Sequence, residues 1–139
     1  MDVEIAIQVE HTFGFSPVFA NGATEVVKKF EVLMIDRKIT ALAKDFLELE
    51  TKVRAIEDKY AGGGSEYDHT TIKNDHWQVV QLSMKQESIF KEWKKAVELA
   101  KQAGYPLKGE KMADFFPPPP VIPPSSPDKV LAILNVTAP

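Results

Sequence analysis

From position 35 the apolar residues recur at alternating steps of four and three: Ile35, Ile39, Leu42, Phe46, Leu49, Val53, Ile56 and Tyr60. Such spacing puts one narrow stripe on an α-helix, and a sustained period of about 3.5 keeps the stripe against a single partner helix. Asp36, Lys38, Lys44, Asp45, Glu48, Glu50, Lys52, Glu57 and Lys59 fill the intervening positions, so the remaining surface is wet. The spacing predicts a helix over 36–60. Gly62, Gly63 and Gly64 end it, because glycine loses the most backbone freedom in a helix. A second helix over 66–103 follows, capped by Ser65 or Asp68 and stopped by Gly104 with Pro106 just beyond. Its stripe is Val79, Leu82, Ile89, Trp93, Ala96, Ala100 and Ala103, flanked by Phe90 and Val97 and interrupted by Ser83 and Gln86.

Two amphipathic helices joined by a short loop fold back on each other. Ala96, Ala100 and Ala103 permit close approach near one end, whereas Phe46, Phe90 and Trp93 demand space towards the middle. At ~1.5 Å per residue the second helix would measure ~55 Å and the first ~40 Å. The excess implies another partner, either the N-terminal segment or a neighbouring subunit.

Before the hairpin, Val3, Ile5, Ile7 and Val9 alternate with Glu4, Ala6, Gln8 and Glu10, a period of two that predicts a strand. Phe13, Phe15 and Phe19 continue an aromatic run in which Pro17 permits only an edge strand or a loop. Asn21-Gly22 has the composition of a tight hairpin turn. Residues 24–35 fit either element. The run Phe30-Glu31-Val32-Leu33-Met34-Ile35 has the near-continuous apolarity of a buried strand, with Asp36 capping the helix behind it, while a helix from Thr24 would carry the seam back to Val32 and give matched arms. The strand is the favoured reading.

The last third is a proline arm. Phe115 and Phe116 precede four prolines, Pro117 to Pro120, and more follow at 123, 124 and 127, so the segment is stiff polyproline II. Beyond it Val130, Leu131, Ile133, Leu134 and Val136 form one apolar strand, to be paired with residues 3–9 or with a neighbouring molecule. The string Phe116-Pro117-Pro118-Pro119-Pro120 resembles the proline-rich ligands of EVH1 domains, which would imply an adaptor presenting this segment to an aromatic-lined groove. The expected architecture is therefore α+β: a β-rich segment over 1–35 with a small sheet, a helical hairpin over 36–104, and an extended arm over 105–139 ending in a strand.

Composition narrows the function classes. The 139 residues carry a net charge of −3, with lysines interleaved among glutamates, so no cation cluster marks a nucleic-acid face. The chain has no cysteine, which excludes thiol catalysis, disulfides and cysteine-bound metal. Met1-Asp2-Val3-Glu4 lacks the basic flank and apolar run of a signal peptide, and no apolar stretch approaches the ~20 residues of a membrane span. A soluble protein, in the cytoplasm or within a virion-like assembly, is expected. The glycine run lacks the preceding strand and Lys-Ser/Thr pair of a phosphate loop. His69 and His76 are two helical turns apart, ~10 Å, too far for one ion without His11 or another chain. No nucleophile or carboxylate pair suggests catalysis, and no cofactor, metal or small-molecule substrate is expected.

The leading expectation is a structural or assembly subunit, not an enzyme, whose partners are protein subunits of the same complex. Its contact residues would be Leu42, Phe46, Leu49 and Val53 on the first helix, Phe90 and Trp93 on the second, and Phe115, Phe116, Pro117, Pro120, Val130, Leu131, Ile133 and Leu134 on the arm. An adaptor and a small histidine-dependent enzyme are the alternatives.

Overall fold

The computed structural model describes residues 2–18 and 24–118. These residues form α1 (Val3–Phe13), α2 (Glu25–Asp58), α3 (His69–Gln102) and a short 3-10 turn (Met112–Phe115), with no strand among them. The α+β expectation is thus corrected to an all-helical fold over the described residues. The Asn21-Gly22 turn and the strand expected at 129–136 lie outside them.

Residues 3–9 are helical because both ends are capped and one helical face can be buried. The Asp2 carboxylate accepts the N–H of Glu4 at 2.7 Å and of Ile5 at 3.4 Å, which satisfies free donors of the first turn. Gly14 ends the helix with φ +81°, a conformation open to glycine. Between the caps, Ile5, Val9 and Phe13 fall on one side, with Val9 and Phe13 buried and Ile5 packed against them. The alternation that suggested a strand also contains this four-residue repeat, and packing selects the repeat.

The strand expected over 30–35 is likewise part of α2. Thr24 Oγ1 accepts the N–H of Val27 at 3.3 Å, and the helix then runs unbroken through position 35. Asp36 therefore lies mid-helix and caps nothing. Its carboxylate pairs with Lys108 Nζ at 3.2 Å instead. Both long helices have 34 residues, ~51 Å each, so the expected mismatch in length disappears.

The hairpin is as its periodicity predicts. Ile35, Ile39, Leu42 and Val53 are buried, and the remaining seam residues are half-buried. Asp68 caps α3, its Oδ1 accepting the Thr71 N–H at 2.7 Å. At the other end the Gly104 N–H reaches Lys101 O and the Tyr105 N–H reaches Ala100 O, both at 3.0 Å, a Schellman closure that turns Tyr105 back onto the core. Gln86, which broke the apolar stripe, donates from Nε2 to Glu50 Oε2 at 2.8 Å and to Phe46 O at 3.4 Å, so the seam stays closed there.

Burial is uneven along the hairpin. At its open end α1, Tyr105, Met112 and Phe115 join Ile35, Ile39, Ala43, Trp93, Ala96, Val97 and Ala100 in one core. Towards the glycine turn only Val53, Leu82 and Gln86 are buried between the two helices. Trp93 stands at the margin of the core, stacked on Phe90 at 6.3 Å and edge-on to Phe115 at 6.0 Å.

Candidate interaction surface

Of the nine expected contact residues that lie among the described residues, seven are used inside the chain. Leu42, Val53, Trp93 and Phe115 are buried in it, and Phe46, Leu49 and Phe116 are half-buried. Buried side chains offer no surface to a neighbour. Phe90, at 39% exposure, remains accessible beside Phe46, 6.2 Å between ring centroids. Pro117 is exposed, whereas Pro120, Val130, Leu131, Ile133 and Leu134 lie outside the described residues. The aromatic of the Phe116-proline string packs against the core, so a recognition domain would have to draw it out before docking.

The open apolar surface lies elsewhere. On α2, Val26, Phe30 and Leu33 are 77%, 54% and 51% exposed. Their i, i+4, i+7 spacing places them on one stripe, about half a turn around from the line of Glu31, Ile35 and Ile39. Lys29 and Arg37, both exposed, border the stripe with Glu25, and the Asp36–Lys108 pair closes one side. The first turns of α2 are therefore apolar on both faces, inward to the core and outward to solvent. Spacing alone could have found this second stripe, had the segment been assigned as helix.

On α1, Val3 and Ile7 are 76% and 61% exposed, one turn apart. Asp2, Glu4 and Glu10 surround them, also exposed. Ile7 forms one wall of an open groove of about 890 Å³ between α1 and α3, whose opposite side carries Ala96 and Leu99 among Lys94, Lys95, Glu92 and Glu98. Trp77 and Met84 add exposed apolar surface to α3 nearer the glycine turn.

Two polar clusters hold the frame. At the hairpin turn the Asp75 carboxylate accepts from Lys59 Nζ at 2.8 Å and from the Tyr60 hydroxyl, and Lys59 also sits over the Tyr67 ring. The Lys59 and Tyr60 hydrogen bonds hold Asp75 below the usual carboxylate range; its own bond to Asp75 pushes Tyr60 up to about 12 and raises Lys59. At the open end Glu31, 2% exposed, accepts the Val18 N–H at Oε1 at 2.6 Å and so ties the segment after α1 to α2. Burial, and then the charge of Glu31, raise the Tyr105 hydroxyl above the ordinary phenol value. Glu31 occupies the position one four-residue step before Ile35 in the seam, where an apolar residue would be expected. Its role was not evident from spacing.

Among the described residues no three His, Cys, Asp or Glu side chains converge as metal ligands, and no helix is long and apolar enough to cross a membrane. His11, His69 and His76 are all exposed, and His76 lines a shallow groove with Tyr60 and Asp75. Comparison with protein-family models, with curated proteins and with solved structures finds no match to this chain, so its functional reading rests on the surfaces described above.

Proposed function

We propose that this chain is a non-enzymatic assembly subunit that contacts protein neighbours through the outer face of α2. The observation that carries this reading is the stripe of Val26, Phe30 and Leu33, exposed on a helix whose opposite face already fills the core. Full burial of such side chains is worth about 1.5–3 kcal/mol each, a driving force that the isolated fold leaves unused. The helical hairpin supplies a stiff support ~51 Å long, and the faces at its open end supply the contacts. The contact residues expected on the hairpin seam shape the subunit, and the outer stripe takes over their role at the interface.

Sedimentation of the tagged chain in gradient fractions from its native cells tests the proposal. The chain should travel in a particle much larger than itself, and Phe30→Asp with Leu33→Asp should return it to the top of the gradient without loss of helical circular dichroism. A parent chain that sediments as a monomer would remove the basis for an assembly role.

A further inference from the structure

The uncovered apolar faces of α1 and α2 carry opposite charge. Val26, Phe30 and Leu33 lie with Lys29 and Arg37 against Glu25, the charge of Asp36 at one side being balanced by Lys108 at 3.2 Å. Val3 and Ile7 lie with Asp2, Glu4 and Glu10, and α1 carries no Lys or Arg. Across the groove, Lys38 pairs with Glu92 at 3.7 Å and Glu98 offsets one of Lys94 and Lys95, which leaves one cation against the three acids of α1, so α1 sets the sign of its side. Both faces are more than half exposed at every apolar position named, so neither is covered within the described chain.

From this complementarity we infer that the acidic face of α1 in one molecule docks on the basic face of α2 in a second copy of this chain. The inference rests on the assembly reading above and names its partner. Each apolar ridge repeats every turn, so a helix pair can interdigitate Val3 and Ile7 with Phe30 and Leu33 while Glu4 and Glu10 meet Lys29 and Arg37. The two faces belong to different helices, so the contact is heterologous, and each copy retains one free face for the next. The product is a chain or ring of subunits. Because α1 has 11 residues, the contact is ~16 Å long and small among stable interfaces, so association should be concentration-dependent.

Light scattering of the purified full chain over a hundredfold concentration range tests the inference. The mean mass should climb with concentration and fall back as salt screens the charges. Ile7→Lys and Phe30→Glu, each at an exposed position and each checked for unchanged helicity, should be monomeric alone. Mixed in equal amounts they should form a one-to-one dimer that grows no further, because one retains its α2 face and the other its α1 face. Glu4→Lys with Glu10→Lys should repeat the loss, and Lys29→Glu with Arg37→Glu in the second molecule should restore binding to it.

A parent chain that stays monomeric overturns the inference, whether residues 119–139 cover the α2 face or nothing does. So does an Ile7→Lys variant that associates like the parent, which would mark a symmetric α2–α2 contact. If the pure chain is monomeric but the native-cell particle still depends on Phe30 and Leu33, a different subunit occupies α2; self-docking then fails while the assembly reading stands.

Discussion

Replacing Glu31 with alanine should destabilise the fold by about 1–3 kcal/mol, although the residue removed is a charged one. The substitution deprives the Val18 N–H of its acceptor at 2.6 Å and removes the carboxylate facing the Tyr105 hydroxyl, both at the joint between α1, α2 and the end of α3. The part-buried Val18 N–H loses a bond to a charged acceptor, worth about 1–3 kcal/mol, while the Tyr105 hydroxyl loses a neighbouring charge. The void left by the side chain adds a smaller cavity cost. Glu31→Gln separates charge from hydrogen bonding: its amide oxygen can still accept from Val18, so the cost should be nearer ~1 kcal/mol.

Urea unfolding followed by far-UV circular dichroism measures both changes, and a double-mutant cycle with Tyr105→Phe isolates the contact. In the Glu31→Ala background the phenol hydroxyl has lost the carboxylate, so its removal should be less harmful than in the parent, with a coupling of ~1 kcal/mol or more. If Glu31→Ala costs under ~0.5 kcal/mol, or if the two substitutions add without coupling, the joint is not held by this carboxylate and the reasoning fails.

Asp75→Asn should flatten both the acid and the alkaline limbs of the stability profile. Asp75 is depressed in the folded chain, so its contribution is present above the ordinary aspartate value and is lost as pH falls through the folded one; Tyr60 and Lys59 are raised, so theirs is lost as pH rises past their ordinary values. The Tyr60 phenolate titration, taken as the absorbance difference from Tyr60→Phe, should move from about 12 towards ~10 in the variant, and an unmoved titration would show that Asp75 is not its cause. Gly104→Ala should cost about 1–2 kcal/mol in thermal unfolding, because φ is +83° there and the added Cβ meets no neighbour, leaving backbone strain as the whole effect. A variant as stable as the parent would show that the Schellman turn can relax.

The hairpin was legible because its signals agree. Every residue of the seam from Ile35 to Tyr60 except Leu42 has a polar or charged neighbour on at least one side, Asp68 and Gly104 close α3, and three glycines separate the helices. Tertiary packing had nothing to override. Glu31 was hidden for a different reason: a charged residue in an apolar register reads as a break, and only the fold supplies the Val18 and Tyr105 groups that make its burial tolerable. The burial of Phe115 was equally hidden, since a Schellman turn that folds residues 105–116 back onto Trp93 looks, in sequence, like the start of an extended arm.

The two segments assigned as strands share a cause, and it bears on function. A helix with one apolar face shows a period near 3.6; a helix with two opposed apolar faces shows apolar residues at nearly every second position, or in unbroken runs, and imitates a strand. In α1, Ile5, Val9 and Phe13 form the inner line and Val3 and Ile7 the outer one. In α2, Ile35 and Val32 face inward while Phe30 and Leu33 face out. The residues that produced the misreading are thus the same ones that no part of the described chain covers. If so, they are dispensable for folding. Val3→Gln with Ile7→Gln should change unfolding free energy by less than ~0.5 kcal/mol and remove the strand-like alternation. Val9→Gln, on the inner line and 0% exposed, should cost about 3 kcal/mol, from lost burial and an amide placed in the core. Urea denaturation of the two variants at low protein concentration, where self-association is absent, makes the comparison. Equal losses would mean that the outer line of α1 is covered within the molecule, and the docking face on α1 would go with it.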